Sequence, residues 1–145
     1  MIRTYAELIF HPTEVSEKLY SVLQNLFDID ETGIKVFKKN EEDYLSAEMH
    51  GVEGLYKLFN GLRKQRIVQS ARKILFGRMD TDSVSFLLNK QALLMGKYHF
   101  CHSPDESPMG PVWVQIYSDN IERLLEYLVP ETQKGVILEV NYLPE

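Results

Sequence analysis

Positive charge is the chemistry this sequence concentrates. Between Gly61 and Arg78 the run GLRKQRIVQSARKILFGR carries six basic residues, Arg63, Lys64, Arg66, Arg72, Lys73 and Arg78, and no acid. Guanidinium and ammonium groups at this density suit an anion with many sites, above all the phosphates of a nucleic acid. Binding of that kind is driven by counterion release and reads no sequence. The bland alternative is a solvated helix face. Against it, like charges at helical neighbour spacing repel by roughly 0.2–0.5 kcal/mol per pair, and the run holds no acid to relieve them.

The imbalance extends past the run. Residues 57–97 hold nine Lys or Arg against Asp80 and Asp82, a local charge of +7 in a chain whose formal net charge is -5. The remainder therefore stands at -12. Segregated charge steers a polyanion to one surface despite an unfavourable total. It equally lets the acidic periphery of one copy meet the basic segment of another. A protein-interaction module, forming a salt-sensitive homodimer or larger assembly, is therefore the second reading.

Other constellations are weaker. Asn89, Lys90 and Gln91, in the segment LNKQA, are three consecutive hydrogen-bonding side chains between apolar runs. They can contact phosphate or base edges beside the basic segment, or satisfy backbone groups in an irregular turn; both remain open. Trp113 and Tyr117 share one strand face, and Tyr98 and Phe100 lie on another strand. Exposed rings stack on unpaired bases, but packing under helices or in a subunit contact is the expectation here. GVEG, residues 51–54, spells a phosphate-clamping loop by letter, yet Glu53 repels phosphate, so a tight strand-to-helix connection is expected. His99, Cys101 and His102 invite a metal, but only His11 and His50 stand elsewhere, and no metal or other cofactor is expected. No P-loop, dinucleotide fingerprint or nucleophile elbow occurs. The reading is non-catalytic, with an enzyme acting on a phosphorylated small molecule as the weakest alternative.

The elements that must position these residues follow from periodicity. At 145 residues, 44% hydrophobic and 26% charged, the chain suits one domain spanning 1–145 with its own core. Ile2, Ala6, Leu8 and Phe10 alternate with Arg3, Tyr5 and Glu7 as a half-buried strand. Thr13 is positioned to cap a helix through Val15, Leu19, Val22, Leu23 and Leu26. Extended segments at Ile34–Val36 and Leu45–Met49 flank a polar turn, KKNEED. A long helix is predicted from about Leu55 to Phe76, with Arg63, Arg66, Ser70 and Lys73 along one stripe and Gly77 as its stop. Strands follow at Val84–Leu88, near Phe100 and at Val112–Tyr117, separated by the mobile-looking loop HSPDESPMGP. Asp119, with Glu122 three residues on, predicts a capped helix ending at Pro130, and VILEVNY a closing strand. The fold class is α+β, a mainly antiparallel sheet with three principal helices packed against it. A lone cysteine, Cys101, forbids an internal disulfide. No signal peptide or apolar run of roughly 18 residues is apparent. A cytoplasmic protein without membrane contact is expected.

Several segments in order resemble a known family: HPTEVSEKLYSVLQNLF, LRKQRIVQSARKILF, FLLNKQALLMGKYHF, DESPMGPVWVQI and DNIERLLEYLVPET. The chain resembles an archaeal family of small uncharacterised proteins labelled RNA-binding, from about Ile2 to Pro130 and most densely over Leu62 to Leu128. The resemblance implies a fold similar to the ribosomal protein that binds 5S ribosomal RNA, an RNA partner, no catalytic residue and no cofactor. The family pattern includes RKQRI, here Arg63 to Ile67, the ARK stretch with Arg72 and Lys73, and LNKQA. The acidic periphery departs from what a large RNA footprint would favour. The expected RNA-contacting residues are Arg63, Lys64, Arg66, Arg72, Lys73 and Lys90, with Asn89 and Gln91 beside them.

Overall fold

The computed structural model describes residues 1–145. Strand β1 (Ile2–Phe10) buries Ile2, Thr4, Ala6 and Leu8 on one face and leaves Arg3, Tyr5 and Glu7 half-buried on the other. That is the period of two expected of a strand covered on one side. The chain continues through α1 (Ser16–Leu26), β2 (Lys35–Lys39), β3 (Glu42–His50), α2 (Tyr56–Lys64), α3 (Val68–Gly77) and β4 (Ser83–Leu88). It ends with α4 (Lys90–Leu94), β5 (Phe100–Cys101), β6 (Val112–Ser118), α5 (Ile121–Leu128), β7 (Thr132–Gln133) and β8 (Val136–Ile137). Six strands form one sheet in the order β2-β3-β1-β6-β4-β5, every neighbouring pair antiparallel.

The helices occupy one face of this sheet. Leu45, Ala47, Val84, Phe86, Val114 and Ile116 meet Leu23, Leu58, Leu62, Leu75, Leu124 and Leu128 in one core cluster of 33 buried residues. Each fully buried leucine side chain contributes about 1.5–3 kcal/mol relative to exposure. The β2–β3 turn places Asn40 and Glu41 at φ 53° and 67°. Two consecutive left-handed residues match the twist of a tight hairpin. Helix α2 lies directly on Tyr98: a Cβ at Gly61 would overlap the ring of that tyrosine. The Tyr98 hydroxyl donates to the carbonyls of Asn25 (3.0 Å) and Lys57 (3.2 Å), tying α1 to α2.

Five α-helices replace the expected three. The predicted 55–76 helix divides into α2 and α3, and LNKQA opens α4 instead of an irregular turn. VILEVNY does not join the sheet. Only Val136–Ile137 is extended, paired with Thr132–Gln133 in a separate hairpin, and Ile137, Val140 and Tyr142 pack against the core. Neither expected cap is used. Val15, without a side-chain bond, precedes α1, and Asn120, accepting from Arg123 N at 3.1 Å, caps α5 in place of Asp119. GVEG is a tight connection, as its composition predicts: a Cβ at Gly54 would stand 2.6 Å from the Cβ of Met49. The segment after His102 is internally tied. The Glu106 carboxylate accepts from the backbone of His102 and Ser103 at 2.8 and 2.9 Å, which holds its pKa below the usual value. No helix is long and apolar enough to cross a membrane.

Candidate nucleic-acid interface

The basic segment is shaped by a helix break at its centre. Helix α2 ends in a Schellman motif: the N–H of Ile67 donates to Leu62 O and that of Arg66 to Arg63 O, both at 3.0 Å. This geometry demands a left-handed residue, normally glycine, and here Arg66 occupies it at φ 60°. Gln65 anchors the corner. Its side-chain amide donates to Tyr98 O at 3.1 Å and accepts from Tyr98 N at 2.6 Å. The break turns α3 relative to α2, so the expected single stripe of cations does not exist.

The six cations divide into two classes. Arg63 is held from all sides: Nε and Nη2 each donate to a Glu139 oxygen at 2.8 Å, and Nη1 donates to the carbonyls of Phe59 and Leu128 at 3.0 Å. Arg72 donates to both oxygens of Glu126 (3.1 and 2.9 Å) and to Val129 O, and stands 3.4 Å from Glu131. These acids lie 54 or more residues away in sequence. Arg63 in turn holds the Glu139 carboxyl below its usual pKa, mainly through their hydrogen bond. By contrast, Lys64, Arg66, Lys73 and Arg78 are exposed and have no acid within 4.0 Å.

The LNKQA residues do not join them. Lys90 is 2% exposed, and its ammonium donates to Ile9 O at 2.9 Å and to Glu14 at 3.2 Å. Burial pulls its pKa below the ordinary value, with Glu14 opposing. The charge thus fastens α4 to β1 and to the turn that leads into α1. Asn89 caps α4, accepting from Ala92 N at 2.8 Å. Gln91 is exposed, but α4 contributes nothing to the surface around Arg66 and Lys73.

That surface is a groove between α3 and the β7–β8 hairpin. Arg66, Gln69 and Lys73 form one wall, and Thr132, Gly135 and Ile137 the other. The committed guanidiniums of Arg63 and Arg72 also line it. Lys134 is exposed in the hairpin turn at φ 51°. The acids present are those already bonded to arginine, so the net local field is positive. Thr132 and Lys134 are absent from the residues expected from sequence because only the fold brings residues 132–135 beside α3, while Gln69, inside the basic run, carries no charge to mark it. Arg78 is the last cation of the run, and it donates to Ser85 O at 2.9 Å along the β4 edge.

The aromatic residues also divide. Tyr98 and Phe100 are buried in the core beneath the helices. Trp113 and Tyr117 project from the opposite sheet face, which no helix covers, together with Tyr5 and Tyr44. His99 and His102 are exposed and Cys101 is buried, and no three His, Cys, Asp or Glu side chains converge on a metal-sized site.

Comparisons with known proteins agree with the resemblance in the sequence. The family described as RNA binding matches residues 3–117. The UPF0201 protein of Sulfurisphaera tokodaii is 35% identical over 144 residues, covering 99% of this chain and 98% of that protein. The UPF0201 protein of Sulfolobus acidocaldarius is 37% identical over 145 residues, with the same coverage. Among solved structures, the 2.2 Å crystal structure of a UPF0201 protein from Methanococcus jannaschii superposes with a TM-score of 0.77 at 26% identity, covering 94% of this chain and 99% of that one. The chain belongs to the RNA-binding family, and its relatives are the archaeal UPF0201 proteins.

Proposed function

We propose that this chain binds structured RNA through its phosphates, at the groove between α3 and the β7–β8 hairpin. Arg66 and Lys73 supply the charge from the groove wall, Lys64 stands exposed at the end of α2 just before it, and Gln69, Thr132 and Lys134 lie beside them. The observation that carries this reading is that these cations remain unpaired in a protein where acids from distant segments reach Arg63 and Arg72. The family description supports RNA as the partner. A fold like that of the ribosomal protein that binds 5S ribosomal RNA belongs to the same proposal, since structured RNA sets phosphates at fixed spacings that a rigid groove can match. No step of chemistry is assigned to the groove.

The footprint is small. Three phosphate contacts give a log–log salt slope of about -2 to -3, well short of what six cations would produce. Filter binding with total cellular RNA across a salt series tests this. The double variant Arg66→Glu, Lys73→Glu loses at least about tenfold in affinity and flattens the salt slope. Unchanged binding in that variant would remove the groove from consideration. A dimer that dissociates with salt, without RNA binding, would instead make the groove an assembly surface.

A further inference from the structure

The helix-free sheet face holds a cleft of about 570 Å³ that is separate from the basic groove. Strand register builds it. Tyr5, Gln115 and Ser85 stand in one row across β1, β6 and β4, and Glu7, Trp113 and Leu87 in the next. Tyr44 of β3 extends the aromatic floor, and Lys39, Arg78 and His102 line it as well. The chemistry is mixed in a specific way. Half-buried π surfaces lie beside a side-chain amide, Gln115, that makes no hydrogen bond within the chain. Lys39 sits 4.9 Å over the Tyr44 ring and 3.5 Å from Glu7. Arg78 uses only Nε, toward Ser85 O, so both terminal guanidinium nitrogens remain available.

We infer that this cleft takes an unpaired nucleotide of the RNA strand: the base stacks on Trp113, Gln115 meets its edge, and Arg78 takes a phosphate. The inference rests on the RNA reading above and adds which part of the RNA is recognised. Each ligand group has a matching protein group. A flat heterocycle meets an aromatic ring, a donor–acceptor edge meets a primary amide, and an anion meets a guanidinium that no acid neutralises. A protein face laid here would have to desolvate Glu7, Gln115, Lys39 and Arg78 together, which is unfavourable without matched partners. Arg78 also gives continuity. It is the C-cap residue of α3, the helix that carries Lys73 and lines the groove, so a single strand crossing the β4 edge meets both sites. The residues that line the cleft all lie within 3–117, the span matched by the RNA-binding family.

Trp113 is the chain's one tryptophan, so its fluorescence reports the cleft directly. The full chain is titrated with a short single-stranded oligoadenylate, a blunt RNA duplex and an abasic ribose-phosphate strand. Saturable quenching by the oligoadenylate, absent with the duplex and the abasic strand, is the expected result. Replacing Trp113→Leu or Gln115→Ala weakens single-strand binding by about tenfold and leaves duplex binding unchanged. The wild-type quenching decides the matter even where a variant fails to fold. Equal affinity for the oligoadenylate and the abasic strand, with Trp113 emission unmoved, would overturn the cleft assignment while leaving the groove standing. A dimer that shields Trp113 from acrylamide without RNA would overturn it in favour of a protein interface. Unchanged duplex binding on Arg66→Glu, Lys73→Glu, with normal base-dependent quenching, would overturn the groove reading and leave the cleft standing.

Discussion

The Arg63 guanidinium and the Glu139 carboxylate meet edge to edge through two parallel hydrogen bonds of 2.8 Å, above the Phe59 ring, whose centroid lies 3.4 Å from the guanidinium carbon. The remaining Arg63 nitrogen positions serve the carbonyls of Phe59, Tyr127 and Leu128. This residue therefore joins α2 to α5 and to the C-terminal segment, and is consumed in doing so.

Arg63→Ala leaves these carbonyls and Glu139 without their donor. Denaturant unfolding should show a loss of about 2–4 kcal/mol, while RNA affinity measured on the folded variant stays within about threefold of wild type. A large affinity loss with little loss of stability would return Arg63 to the RNA surface.

The same pair predicts an acid response. The folded pKa of Glu139 lies below its ordinary value, so the pair's contribution is fully present above the unfolded value of about 4.3 and fades as pH falls through the lowered folded one. Amide exchange near Val140 should accelerate in that acid window. Glu139→Gln should remove the pH dependence.

Arg66 holds the left-handed position of the α2 Schellman turn at φ 60°. Arg66→Gly relieves that strain against a smaller entropic cost, for a net gain of about 0.5–1 kcal/mol in stability. RNA binding should weaken at the same time. A residue kept for its charge where glycine suits the backbone gives this opposition, and thermal unfolding beside filter binding reads both effects.

How much of this was legible in the sequence depends on the range of the forces involved. Alternation at Ile2–Phe10 and Val112–Ser118, and the apolar stripe of Ile121–Leu128, gave those elements because burial period is local. The break at Arg66 escaped because no glycine or proline marks it; Gln65 enforces it by bonding to Tyr98, which is 33 residues away. Lys90 looked like an RNA contact because the sequence cannot show that Glu14 and Ile9 O enclose it. Charge density at 61–78 was visible, but its halving by Glu126, Glu131 and Glu139 was not.

Tyr98 predicts the alkaline limb of stability. Burial pushes its phenol pKa up to about 12. Its stabilising contribution is complete below the unfolded value of about 10 and is lost as pH rises toward the folded one. Tyr98→Phe should cost about 1–2 kcal/mol at neutral pH, through the unsatisfied carbonyls of Asn25 and Lys57. It should also flatten the decline above pH of about 10, leaving the parts due to Tyr5, Tyr127 and Cys101, whose pKa values burial also raises. Denaturant midpoints across that range check both.

Thr4 carries a buried hydroxyl with no hydrogen-bond partner, on the helix-covered face of β1. Thr4→Val keeps the β-branched shape and removes the orphan group, so it should stabilise the fold by about 1 kcal/mol. Destabilisation in a melting experiment would mean that the hydroxyl is satisfied in solution.

The most direct test of the central claim compares two charge-matched variants in one salt series. Arg66→Glu with Lys73→Glu reverses the groove; Lys18→Glu with Lys35→Glu makes the same change in net charge on exposed residues outside it. RNA affinity that collapses in the first and stays near wild type in the second is the predicted result. Equal weakening in both would show that bulk charge, and not the α3–hairpin groove, accounts for the binding.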